Sequence, residues 1–255
     1  MKIHKSLRLL FVFTALMFLS LSVNAQTGNG KQKLLIIEGH FFNEIPVAKD
    51  LISKINIVST PSGTKAMGLT LSKPLPEEAL KYEIPKDKIK DADELLQRLK
   101  ETKDNSMTIS FNASETPLLK EGDAFPEFTA TDINGKTWTN ADVKGKVMVL
   151  NLWFTGCAPC RAEMPILSTW KDEMPDVMFF SSTYEDAEKA KPVLEQQKFN
   201  WIPLINDKQF KKYIGTKGYP LTVVVGKNGK IAKVEYGTSP VQREEVKKKI
   251  EELRK

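Results

Sequence analysis

The clearest pattern in the chain is an almost unbroken apolar run, Lys146-Val147-Met148-Val149-Leu150-Asn151-Leu152-Trp153-Phe154. A run without polar alternation suits a strand covered on both faces, at the centre of a sheet. Met164, Leu167, Trp170 and Met174 then recur at helical spacing, so one face of the next helix points inward. Residues 176–182 and 219–225 repeat the buried-strand pattern. Residues 231–236 read as an antiparallel return after the turn Lys227-Asn228-Gly229-Lys230. Residues 185–197 are helical in pattern, with Pro192 expected to interrupt them. Ser239-Pro240-Val241-Gln242 resembles a capping box with Pro at the first helical position, opening a last helix with Val246, Ile250 and Leu253 inward. Upstream, residues 125–131 and 136–139 flank Asp132-Ile133-Asn134-Gly135, a hairpin signal. Strands alternating with helices and closed by a hairpin and helix predict an α/β layered fold with a central mixed sheet.

The first half differs. Residues 33–42, 54–60 and 107–113 read as strands, and 91–102 as a short helix with Leu95, Leu96 and Leu99 on one side. Residues 61–85, broken by Pro, Gly and Ser, read as loop. The pattern predicts a small, mostly β domain over 26–119, without marked chemistry, followed by the α/β domain over 120–255. At the start, Lys2, Lys5 and Arg8 precede an apolar run over 9–23 and the small-residue ending Val23-Asn24-Ala25. This reads as a signal peptide over 1–25, cleaved after Ala25, exporting the chain to an oxidising compartment such as a periplasm. An uncleaved N-terminal anchor facing that compartment is the alternative, although the run falls short of the about 20 residues a spanning helix uses. No Cys follows the run, which excludes acylation on an N-terminal cysteine.

Composition changes this picture in two ways. The net charge of +6 falls to +3 once the three basic residues of the signal are removed, too little to imply a nucleic-acid partner. Lys247-Lys248-Lys249 is interleaved with Glu244, Glu245, Glu251 and Glu252, the pattern of a solvated helix face. The chain has only two cysteines, Cys157 and Cys160, at the junction of the apolar strand and its helix. A disulfide across so short a loop restrains the unfolded chain little, so reactivity explains the pair better than stability. At a helix N-terminus the dipole and unpaired N–H groups favour a thiolate, which points to redox chemistry at Cys157. Glu163 lies three residues after Cys160, on the same helical side. It is a candidate acid–base group for the Cys160 proton, or else a surface ion-pairing residue. A soft-metal site is disfavoured: the only histidines, His4 and His40, lie outside the 120–255 domain, and the eight methionines are scattered.

Four separated segments carry a resemblance. They are Gly122-Asp123-Ala124-Phe125-Pro126-Glu127-Phe128, residues 145–165, Gly218-Tyr219-Pro220-Leu221-Thr222, and Gly226-Lys227-Asn228-Gly229-Lys230-Ile231. In order and spacing they are similar to the thioredoxin-like domain of exported thiol–disulfide oxidoreductases, the TlpA/ResA-like group of the AhpC/TSA–Redoxin superfamily. The resemblance implies a thioredoxin-like fold over 120–255 and a redox-active disulfide between Cys157, the nucleophile, and Cys160, the resolving cysteine. It also implies an acid–base role for Glu163, a cis peptide before Pro220, and a substrate groove bordered by Gly156, Pro159, Tyr219 and Pro220. Asn151 stands where cytoplasmic thioredoxins keep a buried Asp, leaving Glu163 the titratable candidate. Pro165 is expected to kink the active-site helix. Trp153 reads as packing beneath the site. Where the family has Trp before the first cysteine this chain has Gly156, which removes an apolar wall beside the nucleophile.

The reading that follows is an exported enzyme that reduces protein disulfides. It requires no cofactor, since the sulfurs carry the electrons, and draws its electrons from a membrane thiol-relay donor. With Ala158 and Pro159 between the sulfurs, and no His, a reducing poise is expected. The alternatives are a partner-binding or assembly protein with specificity in residues 26–119, and a copper-handling protein.

Overall fold

The computed structural model describes residues 25–26, 31–32, 34–102, 107–108, 119–215 and 217–255, with 25–26, 31–32 and 107–108 described through the backbone alone. The signal pattern over 1–24, Lys33, and residues 109–113 of the expected third strand lie outside the described residues. The chain divides into two compact units with the boundary between Phe111 and Asn112.

In the first unit, Ala25–Gln26 and Lys31–Gln32 form a two-residue antiparallel pair. The main sheet comprises β1 (Leu35–Ile37), β2 (His40–Phe42), β3 (Ile52–Ser59), β4 (Lys65–Leu71) and β5 (Met107–Thr108), in the order β2-β1-β4-β3-β5. Alternation sends Leu34 and Ile36 to one face, where Val58, Ala66 and Leu95 of helix α1 (Ala92–Glu101) meet them. Leu35 and Ile37 go to the other, with Phe42, Ile52, Met67 and Leu69.

Strand β4 corrects the reading of 61–85 as loop. The Pro-Ser-Gly cluster is only the turn of a β3–β4 hairpin, with Thr60 N–H donating to Thr64 O at 2.8 Å and Gly63 at φ +91°. Gly68 is no breaker: Leu99 of α1 packs over it. A Cβ at Gly68 would lie 2.3 Å from Leu99 Cδ1, so any side chain here would force Leu99 of α1 to shift.

The second unit opens with a hairpin of β6 (Thr129–Thr131) and β7 (Thr137–Thr139), its turn held by Asp132, whose Oδ1 accepts from the N–H groups of Asn134 and Lys136. Helix α2 (Asn140–Val143) follows, opened by a Thr139–Asp142 capping box. Then come β8 (Met148–Leu152), α3 (Ala158–Glu173), β9 (Met178–Ser182), α4 (Ala187–Gln197), β10 (Ile202–Leu204), α5 (Lys208–Lys211), β11 (Leu221–Val225), β12 (Ile231–Tyr236) and α6 (Pro240–Arg254). The sheet order is β10-β9-β8-β11-β12. β8 pairs parallel with β9 and antiparallel with β11, the central mixed position its apolar run predicts. One sheet face carries Val149, Trp153, Phe179 and Val224 beneath α3, α4 and α6. The other carries Met148, Leu150, Phe180 and Val223 against Phe125, Phe128 and Phe210.

Two further expectations need correcting. Helix α4 runs through Pro192 without interruption. The bond lost there is to the carbonyl of Glu188, an exposed residue, while Ala190 and Leu194 fasten the inner face into the core and Asp186 caps the start. At α6, Ser239 accepts from Gln242 N–H at 3.2 Å, but the Gln242 side chain does not return to Ser239. It donates instead to Glu235 Oε1 and Tyr236 O, which ties the helix to β12.

Candidate active site

The end of β8 delivers the chain to the N-terminus of α3, and the two cysteines meet there in a disulfide, their Cα atoms 5.3 Å apart. Their settings differ. Cys157 is the N-cap residue, and its Sγ accepts from Cys160 N–H at 3.3 Å. Cys160, one turn in, is fully buried, whereas Cys157 keeps 4% exposure. Pro159 lies in the first turn, where its missing N–H costs no helical bond. Pro165 lies inside α3, which continues to Glu173.

The turn before Cys157 is held by a residue that sequence patterning passes over. The Glu185 carboxylate accepts from Thr155 N–H at 2.6 Å and from Thr155 Oγ1 at 2.8 Å, clamping the loop to the segment after β9. No motif marks Glu185, because the contact joins residues thirty positions apart. Asp207 acts similarly one strand further on: its carboxylate caps α5 and accepts from Ser182 Oγ at 2.6 Å.

Behind the disulfide, Glu163 is 3% exposed, so it is not on the exposed surface of the helix. Its Oε1 accepts from Asn151 Nδ2 at 3.0 Å, and the same amide donates to Thr222 Oγ1 at 3.0 Å. The amide of Asn151 thus bridges the Glu163 carboxylate on α3 to the Thr222 hydroxyl on β11. Trp153, 1% exposed, packs with both cysteines in the core beneath the site.

On the open side, the peptide between Tyr219 and Pro220 is cis. Tyr219 is half-buried, and its ring meets Phe154 edge-on at 5.1 Å, while Phe154 stacks with Tyr184 at 6.3 Å. Burial, with the nearby Tyr184 and Glu185, pushes the Tyr219 hydroxyl up to about 12, so it stays a neutral hydrogen-bonding group. Gly156 is exposed, and a Cβ on it would lie 2.9 Å from Phe154 Cε2. Phe154 therefore stands in the space beside residue 156, an aromatic group arriving from two residues upstream.

Comparison with known proteins agrees with this geometry. The model of the Redoxin family matches residues 120–250, about half of the chain. The chain belongs to the Redoxin family. Within it, the thioredoxin-like protein YneN of Bacillus subtilis is 26% identical over 138 residues, covering 52% of this chain and 80% of that protein. The thiol–disulfide oxidoreductase ResA of Geobacillus thermodenitrificans is 27% identical over 148 residues, 55% of this chain and 82% of ResA. A solved thiol:disulfide interchange protein from a Bacteroides species superposes with a TM-score of 0.45 at 26% identity, over 52% of this chain and 91% of that one. The Redoxin unit of this chain, with a C-x-x-C disulfide at the head of its helix, is that of a thiol–disulfide oxidoreductase. Among the described residues no cluster of three or more His, Cys, Asp or Glu could hold a metal, and no helix is long and apolar enough to cross a membrane.

Proposed function

We propose that this Redoxin protein is an exported reductant of protein disulfides. The observation that carries the reading is the asymmetry of the two sulfurs. Cys157 holds the N-cap position with a backbone N–H directed at its sulfur, while Cys160 is sealed beneath it. In the reduced protein that N–H and the helix dipole favour the Cys157 thiolate. The thiolate attacks one sulfur of a substrate disulfide, forming a mixed disulfide and releasing the other substrate sulfur as a thiolate that takes up a proton. Cys160 then loses its proton to Glu163 and attacks Cys157. The intramolecular disulfide forms and the substrate departs as its second thiolate, which takes up a proton from water. Two electrons pass to the substrate with two protons, and no further cofactor is needed.

Phe154, Tyr184 and Tyr219 form the wall against which an extended polypeptide carrying the target disulfide would lie, with Gly156, Pro159 and Pro220 at its edges. Regeneration requires an external dithiol, which export assigns to a membrane thiol-relay donor. Export itself rests on the basic and apolar pattern before Ala25. A mature N-terminus at Gln26 is the expected result of N-terminal sequencing, and retention of Met1 would make the segment an anchor.

The mechanism is tested by trapping. Reduced Cys160→Ser, incubated with a peptide disulfide, should accumulate a covalent adduct on Cys157 visible by mass spectrometry. If the adduct instead forms on Cys160 in Cys157→Ser, the assignment of the two sulfurs is reversed.

A further inference from the structure

The sheet face beneath α3 and α6 carries a row of polar residues that crosses it at right angles to the strands, with Lys233 of β12 in the next row beside Val224. Strand register places Ser181 of β9 beside Asn151 of β8, Asn151 beside Thr222 of β11, and Thr222 beside Glu235 of β12. Registered neighbours share a face, so these four polar residues form a single line through a layer that also carries Val149, Trp153, Phe179 and Val224. Glu163 of α3 joins the line through Asn151, which also donates to Thr222. A polar row with this register would cost stability if it only filled space, because buried polar groups must find partners.

The row leads somewhere. Glu163, Thr222, Glu235, Gln242 and Arg243 border a cavity of about 10 Å3, the size that holds one water. Its far end lies at the edge strand β12, where the Glu235 side chain is 17% exposed, against 3% for Glu163 as a residue.

We propose that Glu163 exchanges its proton with solvent through this cavity, on the side of the sheet edge, and that Glu235 is the group that passes the proton between the cavity and bulk water. This inference rests on Glu163 serving Cys160 as described above. In the reductive direction the proton leaves the Cys160 thiol for the Glu163 carboxylate, moves to Glu235 and is given up to solvent; reduction of the disulfide runs the same path in reverse. Glu235 acts through Glu163 and is a positioning residue, not a catalytic one.

Its surroundings suit the task. Burial raises the Glu235 carboxyl from its ordinary range, opposed by the Gln242 amide and by Lys233 at 3.3 Å on the same strand. From α6, Glu245 raises it further through its charge, and Arg243, hydrogen bonded to Thr238 Oγ1 at 3.0 Å, brings a cation to the cavity rim. From α3, Glu163 faces the same cavity. Burial outweighs the opposing influences, so this carboxyl holds its proton to higher pH than an exposed Glu does.

The test uses reduced full-length protein and dithiobis(nitrobenzoate), which releases one coloured thiolate when Cys157 attacks and a second when Cys160 resolves. Glu235→Gln should leave the first release unchanged and slow the second by roughly tenfold, less than the loss of a direct acid–base group. Its pH profile should lose the inflection that the wild type shows, and added formate should restore part of the rate. Glu235→Asp, which keeps a titratable carboxyl, should retain the wild-type profile. Glu163→Gln should slow the second release more, and the double variant no further, since both groups lie on one route. A second release in Glu235→Gln equal to wild type at every pH, with Glu163→Gln slow, would overturn the relay and leave Glu163 in its role. A normal second release in Glu163→Gln would remove the role itself. A profile displaced equally in Glu235→Asp and Glu235→Gln would show that Glu235 is merely structural.

Discussion

Phe154 and Gly156 together decide what a substrate meets beside Cys157. Because the Phe154 ring stands where a side chain on residue 156 would begin, the aromatic wall is continuous from Tyr184 to Tyr219. Tyr219→Ala should therefore raise KM for a peptide disulfide by several-fold, about 1 kcal/mol of lost aromatic contact, with kcat and the dithiobis(nitrobenzoate) reaction little changed. Steady-state kinetics on both substrates check this, and equal effects on both would place Tyr219 outside the substrate groove. Asn151 makes a second prediction at this scale. Asn151→Leu removes the Asn151 bonds to the buried Glu163 carboxylate and the Thr222 hydroxyl, so the oxidised protein should lose about 1–3 kcal/mol of stability, read by denaturant unfolding. At the residue scale the cysteines, Glu163 and Pro220 stand out in the sequence because motif spacing is local. Glu185 and Glu235 do not, because each acquires its role from a strand or loop that only folding brings near.

Among the elements, β4 shows most clearly what periodicity misses. Gly68 reads as a breaker because a strand normally gains from a side chain at each position, yet here Leu99 supplies the packing from the helix above. Gly68→Ala should destabilise the first unit by about 1–3 kcal/mol, as overpacking does, lowering its calorimetric transition while disulfide reduction by the second unit is unchanged. Asp91, just before α1, gives a pH prediction. Its carboxylate accepts from the hydroxyls of Ser62, Thr64 and Thr60, and these bonds, Ser62 first, hold its pKa below 3.8. A lowered carboxylate pKa contributes stability that is present above 3.8 and lost as pH falls through the folded value. The wild type should therefore lose more stability on acidification than Asp91→Asn, and parallel acid titrations would contradict the assignment. The strands and helices around Cys157 were legible because their apolar runs are long and their turns carry Asn-Gly. α5 and β10 were not, since each is short and takes its place from neighbours, and the seven-residue β4 was not because Gly68 and the Pro-Ser-Gly turn before it read as breakers.

At the scale of the whole molecule, the chain joins a Redoxin unit that carries all the chemistry identified to a β-rich unit with none. A chain limited to residues 112–255 should reduce small disulfides as fast as the full protein, and any loss confined to a natural protein partner would assign recognition to the first unit. The central claim is that the Cys157–Cys160 couple donates electrons to substrates. Equilibrating the mature protein with redox buffers and counting trapped thiols measures its potential directly. A value towards the thioredoxin end, about −270 mV, is the expected result, and one near about −120 mV would make the protein an oxidant and contradict the account.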